Sequence, residues 1–369
     1  MKEGWSYKKL GDVARVIHGK NQKEVLSENG QYPILGSGGT IMGYANDFLC
    51  EARTTILGRK GTINNPQFIE KRFWNVDTAF GITAQPGNDS KFIYYFVKSI
   101  DWSKKNTGTT LPSLTQQVVT SVEIPVPPLS EQRSIVTRLD AAFSHIDALK
   151  ANAEKQLNEA RKLFQAELTE CMKPKEGWEE KKLGEVSSFQ NGFAFKSNLF
   201  KKEGSPIIRI SNIQNESIQT DDIVYFDKAD YPINFDNYKI YPQDILIAMS
   251  GGTTGKLGIN TTDSIFYQNQ RVGVIRENKK FLDHRFLFYF LQTKSEESLK
   301  IAAGAAQPNL STTQIKGFIM PVPLLEVQRQ IVSHLDSLSS NIRKLEELQQ
   351  KTIAECDALK QAMLREVFE

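Results

Sequence analysis

Two stretches of the chain place an apolar residue at every third or fourth position. In the first, Ile135, Leu139, Ala142, Ile146, Leu149, Ala153, Leu157, Ala160, Phe164, Leu168 and Cys171 make the stripe. In the second it is Ile331, Leu335, Leu338, Ile342, Leu345, Ile353, Cys356, Leu364 and Val367, interrupted by the polar Gln349 and Lys360. That spacing holds apolar side chains on one face of a 3.6-residue helix, so each stretch predicts a long helix whose stripe needs a partner. Ser130 is placed to cap the first helix, with Glu131 in its first turn, and Pro174 and Gly177 stop it; the second starts near Glu326. A helix from Ser130 to Lys173 would be roughly 65 Å long at the usual rise per residue.

Ahead of each helical stretch the pattern is different. Short β-rich runs, among them Tyr32 to Leu35, Thr54 to Leu57, Ile207 to Ile210 and Asp244 to Ile247, are bounded by Gly, Asn, Asp and Pro turn signals. Aromatic segments at Phe92 to Ser99 and Phe286 to Gln292 read as helices packed on the resulting sheets. The two regions are therefore expected to be α/β globules.

The halves repeat one another. Glu3-Gly4-Trp5 and Lys8-Lys9-Leu10-Gly11 return 173 residues later as Glu176-Gly177-Trp178 and Lys181-Lys182-Leu183-Gly184. Pro125-Val126-Pro127, Gln132-Arg133, Ile135-Val136 and Leu139-Asp140 return 196 residues later as Pro321-Val322-Pro323, Gln328-Arg329, Ile331-Val332 and Leu335-Asp336. Weaker matches cross the globules: Lys91-Phe92 and Tyr95-Phe96 with Arg285-Phe286 and Tyr289-Phe290, and Gly108, Pro112 and Leu114 with Gly304, Pro308 and Leu310. The larger second offset puts extra insertion in the second globule. The expected divisions are a globule over 1–128, a helix over 129–174, a globule over 175–324 and a helix over 325–369.

Composition narrows the function classes only slightly. Over 369 residues, 46 Lys plus Arg against 43 Asp plus Glu leave a net charge of +3, so a nucleic-acid footprint would have to be local. Cys50, Cys171 and Cys356 form no CxxC pair and suggest no disulfide framework. Met1 to Val13 lacks the apolar stretch of a signal peptide, and no window reaches about eighteen uninterrupted apolar residues. A cytoplasmic protein with no membrane association is expected.

The paired segments PLSEQRSIVTRLD and PLLEVQRQIVSHLD, with the paired E-G-W to K-K-L-G openings, resemble the specificity subunits of type I restriction-modification systems, and the resemblance runs the length of the chain. It implies a fold of α/β class: two α/β target recognition domains separated by two long antiparallel coiled-coil helices, a pseudo-twofold internal repeat. It implies a non-catalytic role, in which each recognition domain reads one half of a split double-stranded DNA target and the helices dock two methyltransferase subunits. Restriction and translocase subunits would join through the complex. No cofactor is implied. A tandem DNA-binding regulator would share the globules, and a coiled-coil protein scaffold would share the helices.

Candidate contacts follow from side-chain chemistry. Lys and Arg meet phosphates, whereas Arg, Asn, Gln, Ser and Thr can form paired hydrogen bonds with base edges. In the first half such residues cluster at Lys20, Asn21, Arg53, Arg59, Lys60, Asn64 and Thr109; in the second at Arg209, Asn212, Ser250, Thr253, Thr254, Lys256, Asn269, Gln270, Arg271 and Gln307. Singly, any of them reads better as a solvated loop residue; as clusters in both halves, they favour DNA contact. The run Ser250 to Lys256 lacks the first Gly and the final Ser/Thr of a phosphate-binding GxxxxGK loop, leaving a DNA-phosphate turn or a plain hairpin turn. Asn65-Pro66-Gln67-Phe68 only faintly echoes the loop of adenine methyltransferases and reads as an ordinary loop. Gln132, Arg133, Gln328 and Arg329 fall in first helical turns, where a cation wants a compensating partner, either within the chain or on a methyltransferase subunit. None of His18, His145, His284 and His334 has a Cys, Asp or second His at metal spacing, so no metal site and no catalytic constellation are expected.

Overall fold

A computed structural model of the chain describes residues 4–214, 216–303 and 309–369. They form two compact units, one of Met1–Lys155 with Leu348–Glu369 and one of Gln156–Glu347. Four helices carry most of the architecture: α1 (Ser90–Ser99), α2 (Leu129–Cys171), α3 (His284–Thr293) and α4 (Leu325–Phe368). Each unit contains one globule and a segment of both α2 and α4.

In the first unit, β1 (Ser6–Lys9) pairs antiparallel with Glu123–Val126, so the Lys8-Lys9 opening and the Pro125-Val126 frame are two strands of one ribbon. Pro125 is tolerated because, among the described strands, the ribbon has no third that would need its missing N–H. The main sheet has the order β2 (Ala14–His18), β8 (Ala79–Ala84), β5 (Thr54–Gly58), β6 (Gln67–Ile69), all antiparallel. A second sheet joins β3 (Tyr32–Leu35) to β4 (Ile41–Ala45) and, in parallel, to β7 (Trp74–Asn75); the strand Glu123–Val126 is β9.

Asp89 caps α1 by accepting from the backbone N–H groups of Lys91 and Phe92. Every residue from Phe92 to Val97 is buried, as befits a helix enclosed on all sides. One side meets the sheet; the other meets Ile135, Leu139, Phe143 and Ile146 of α2 together with Cys356, Leu364 and Phe368 of α4. Lys150 pairs with Asp357 at 2.8 Å and Asp147 with Lys360, so the two long helices run antiparallel here.

The second unit repeats this plan. The ribbon is β10 (Glu179–Lys182) with Ile319–Val322. The main sheet runs β11 (Ser187–Asn191), β20 (Val272–Glu277), β17 (Ile245–Ala248), β18 (Leu257–Ile259), and is extended by β14 (Glu216–Ile218) and β13 (Ile213–Gln214). The smaller sheet is β15 (Val224–Phe226), β12 (Ser205–Ile208), β19 (Phe266–Gln268), β16 (Lys239–Ile240), and Ile319–Val322 is β21. Strands β13, β14 and β16 have no counterpart among the described strands of the first unit, and they take up part of the larger sequence offset. Asp283 caps α3 as Asp89 caps α1, and Phe286 to Leu291 are all buried. Arg161 with Glu346 and Glu167 with His334 show that the long helices are antiparallel in this unit too.

Three local expectations need correction. Helix α2 begins at Leu129, one residue before Ser130, because the Glu131 and Gln132 N–H groups bond the Pro128 carbonyl and Gln132 Nε2 bonds that of Pro127. Leu149 is 58% exposed: the stripe steps from Ile146 to Lys150 and Ala153, and Lys150 carries its charge to Asp357. At Ile207 to Ile210 the strand ends at Ile208, and Ile210–Asn212 is a tight 3-10 turn.

Candidate nucleic-acid interface

A buried amide organises one edge of each globule. In the first unit Asn75 Nδ2 donates to the carbonyls of Ala79 and Ile17, and the Cys50 thiol donates to its oxygen. Burial pushes that thiol up to about 12, so it stays protonated as a donor. In the second unit Gln268 Nε2 donates to the carbonyls of Val272 and Gln190, and Gln190 donates to its oxygen. Each amide ties together the end of β2 or β11 and the tight loop that precedes β8 or β20.

Around this anchor the same backbone bonds recur. Arg59 N–H reaches the Thr78 carbonyl and Leu114 N–H reaches that of Arg59; Met249 N–H reaches Arg271 and Leu310 N–H reaches Met249. Lys60 forms a bridge with Ser113 as Ser250 does with Asn309. The end of β5 or β17, the loop before β8 or β20, and the segment before Leu114 or Leu310 therefore meet at one place in each unit.

In the first unit this edge carries Lys20, Arg59, Lys60 and, on the adjoining loop, Thr109. Lys20 and Lys60 are exposed, while Arg59 is half-buried with Nε donating to the Asp77 carbonyl at 2.9 Å. Asn106 bonds Gly108 and Ser113 and so shapes the loop that bears Thr109. Asn21 caps a turn at Lys23, and Asn64 accepts from Trp102 N–H. Arg53 does not join them: it precedes β5, at the other end of the strand from Arg59, with Glu70 at 3.7 Å and its guanidinium over Phe68. The glycine-rich tip Gly36 to Gly39, whose glycines carry no side chain able to mark them as contacts, joins the edge as well: Gly38 lies beside Thr62 and the Ser37 carbonyl beside Gly58.

In the second unit the edge carries Thr253, Asn269, Gln270 and Arg271, with Lys256 exposed on the adjoining turn, whereas Ser250 is buried beneath it. Arg271 Nη1 lies 3.4 Å from Ser250 Oγ. The run Ser250 to Lys256 joins antiparallel strands β17 and β18, which makes it a hairpin connection and excludes a phosphate loop opening a helix. Gly251 and Gly255 take φ of +74° and +83°, conformations the turn needs glycine for. Thr254 is buried on the Gly251 carbonyl. Asn212 is also internal, closing its turn on Arg209, Gln219 and Asp222, and Arg209 itself pairs with Asp222. Asn191, bonded to Thr312 at 2.7 Å, adds two polar groups near this edge that the sequence did not single out. Gln307 lies outside the described residues.

The four helix-start candidates divide. Gln132 and Gln328 are buried and act within their own units: each accepts from the N–H of the capping aspartate, Asp89 or Asp283, and donates to the Pro127 or Pro323 carbonyl. They lock α1 and α3 to the starts of the long helices, so neither offers a surface to a partner. Arg133 and Arg329 are exposed.

A family model described as the type I restriction modification DNA specificity domain matches residues 2–159 and again 175–354. The chain belongs to that family. Its members are the non-catalytic specificity subunits of type I systems, in which the chemistry lies with other subunits. The type I restriction enzyme MjaVIII specificity subunit of Methanocaldococcus jannaschii is 26% identical over 377 residues, covering 92% of this chain and 87% of that one. Two solved structures share the fold. A chain from a study of complex assembly and conformational transition of the type I R-M system aligns with TM-score 0.79 at 19% identity, over 99% of this chain and 97% of that one. The HsdS subunit from Thermoanaerobacter tengcongensis aligns with TM-score 0.57 at 20% identity, over 100% and 97%. Among the described residues of this specificity subunit, no helix is long and apolar enough to cross a membrane.

Proposed function

We propose that the subunit reads a bipartite double-stranded DNA target, one half-site at the loop edge of each unit, and carries two methyltransferase subunits on its helices. Restriction subunits would be recruited through the assembled complex, in the cytoplasm. The observation that carries this reading is the repetition of the edge itself: one scaffold of backbone bonds, built twice, presents Lys20, Arg59 and Lys60 in one unit and Asn269, Gln270, Arg271 and Lys256 in the other. A constant scaffold with different side chains is what two half-sites of different sequence require. Arg133 and Arg329, exposed at the starts of the long helices, are the candidates for methyltransferase contact. Methylome sequencing of a host with and without the gene tests the proposal. A split adenine-methylation motif should vanish with the gene, and an unchanged methylome would contradict it.

A further inference from the structure

We infer that Glu167, Cys171 and His334 form a divalent-metal site of zinc type, clamping α2 to α4 within the second unit. Glu167 and Cys171 lie one helical turn apart on α2, and His334 approaches from α4. His334 Nε2 is 3.0 Å and Cys171 Sγ 3.8 Å from Glu167 Oε1, and the three ligand atoms all lie within 4.8 Å of one another. A tetrahedral zinc with ordinary Zn–N, Zn–O and Zn–S bonds separates its ligand atoms by roughly 3.3–3.6 Å. The 3.0 and 3.8 Å separations from Glu167 Oε1 bracket that range.

The donor set points to the metal. Thiolate, imidazole and carboxylate together suit zinc and its neighbours in the transition series, whereas calcium and magnesium prefer all-oxygen shells. Three protein ligands leave a fourth position for water. Binding forms the metal–sulfur bond as the thiol proton passes to solvent, and no electron is transferred.

The internal repeat provides an independent comparison. The Tyr–Asp pairs and the buried glutamines recur in both units, as structural necessities of the fold should. The metal trio does not: 196 residues along, Glu167 and Cys171 correspond to Met363 and Val367, and His334 corresponds to Arg138. A cluster present in one unit and replaced by Met, Val and Arg in the other is not demanded by the packing of these helices. Sequence spacing could not reveal it, because the histidine comes from a helix more than 160 residues away.

Cobalt(II) titration of the full chain provides the test, because cobalt reports thiolate ligation and tetrahedral geometry by absorption. One cobalt per chain should bind with a sulfur-to-metal charge-transfer band and intense visible bands, and zinc should displace it. Both signals should be lost in Cys171→Ser and His334→Ala and kept in Cys356→Ala and His145→Ala. His334 is exposed, so its substitution should leave the fold intact by circular dichroism even if Cys171→Ser does not. Absence of the bands in the parent chain would overturn the proposal, as would their persistence in His334→Ala.

Discussion

The Tyr289 hydroxyl donates to Asp336 at 2.5 Å, joining α3 to the start of α4, and Arg285 reaches the same carboxylate at 2.7 Å. Tyr95, Lys91 and Asp140 repeat the arrangement in the first unit. Each aspartate belongs to the sequence frame and each tyrosine to the interior of a globule, so the contact fixes a recognition domain on its helix. Tyr289→Phe should lower stability by about 0.5–1.5 kcal/mol, read as a lower urea midpoint. Burial, followed by the bond to the aspartate, raises both tyrosines above their ordinary value of 10.0. The folded chain then holds protons that the unfolded chain releases. Their stabilising contribution is complete below pH 10 and falls as pH rises beyond it. The alkaline loss of stability should be smaller in the Tyr95→Phe, Tyr289→Phe double variant.

The neighbours Gln328 and Arg329 should separate folding from assembly. Gln328→Ala orphans the Asp283 N–H and the Pro323 carbonyl, at about 1–3 kcal/mol for each group left unsatisfied. A lower melting temperature with an unchanged methylation motif is expected. Arg329→Ala should leave the melting temperature in place and reduce co-purification with a methyltransferase subunit.

Backbone crowding offers a way to move the proposed reading edge without touching its side chains. A Cβ added at Gly192 would lie 1.9 Å from the Asn269 carbonyl oxygen, and one at Gly19 would lie 1.8 Å from that of Val76. Gly192→Ala should therefore displace the loop of Asn269, Gln270 and Arg271 and weaken specific DNA binding by about tenfold, the equivalent of about one lost base contact. Titration with fluorescent target DNA checks this, and unchanged affinity would remove the loop from the interface.

Lys256 tests for phosphate contact. Lys256→Ala should weaken binding to all sequences similarly and reduce the slope of log affinity against log salt by about one unit. A change confined to one target position would instead mark Lys256 as a base reader.

The long helices and the duplicated frames were legible because helical periodicity and repeated motifs are one-dimensional signals. Periodicity alone puts Leu149 in the stripe, but Lys150 takes that place because its charge is met by Asp357 on a distant stretch of chain. The candidate interface is legible in the sequence as residue types and not as geometry. Asn212 and Thr254 have the chemistry of base readers but close their own turns, and Arg53 and Arg59 flank opposite ends of β5. Gln132 and Gln328 looked like surface partners because the capping aspartates they hold lie more than 40 residues earlier.

Exchange of the block from about Lys175 to Ile319 for that of a relative, followed by methylome sequencing, tests most directly the claim that each unit reads its own half-site. The exchange replaces the second reading edge and leaves Lys20, Arg59 and Lys60 in place. The account predicts a methylated motif with one new half and one retained half. A motif in which both halves change together would contradict it.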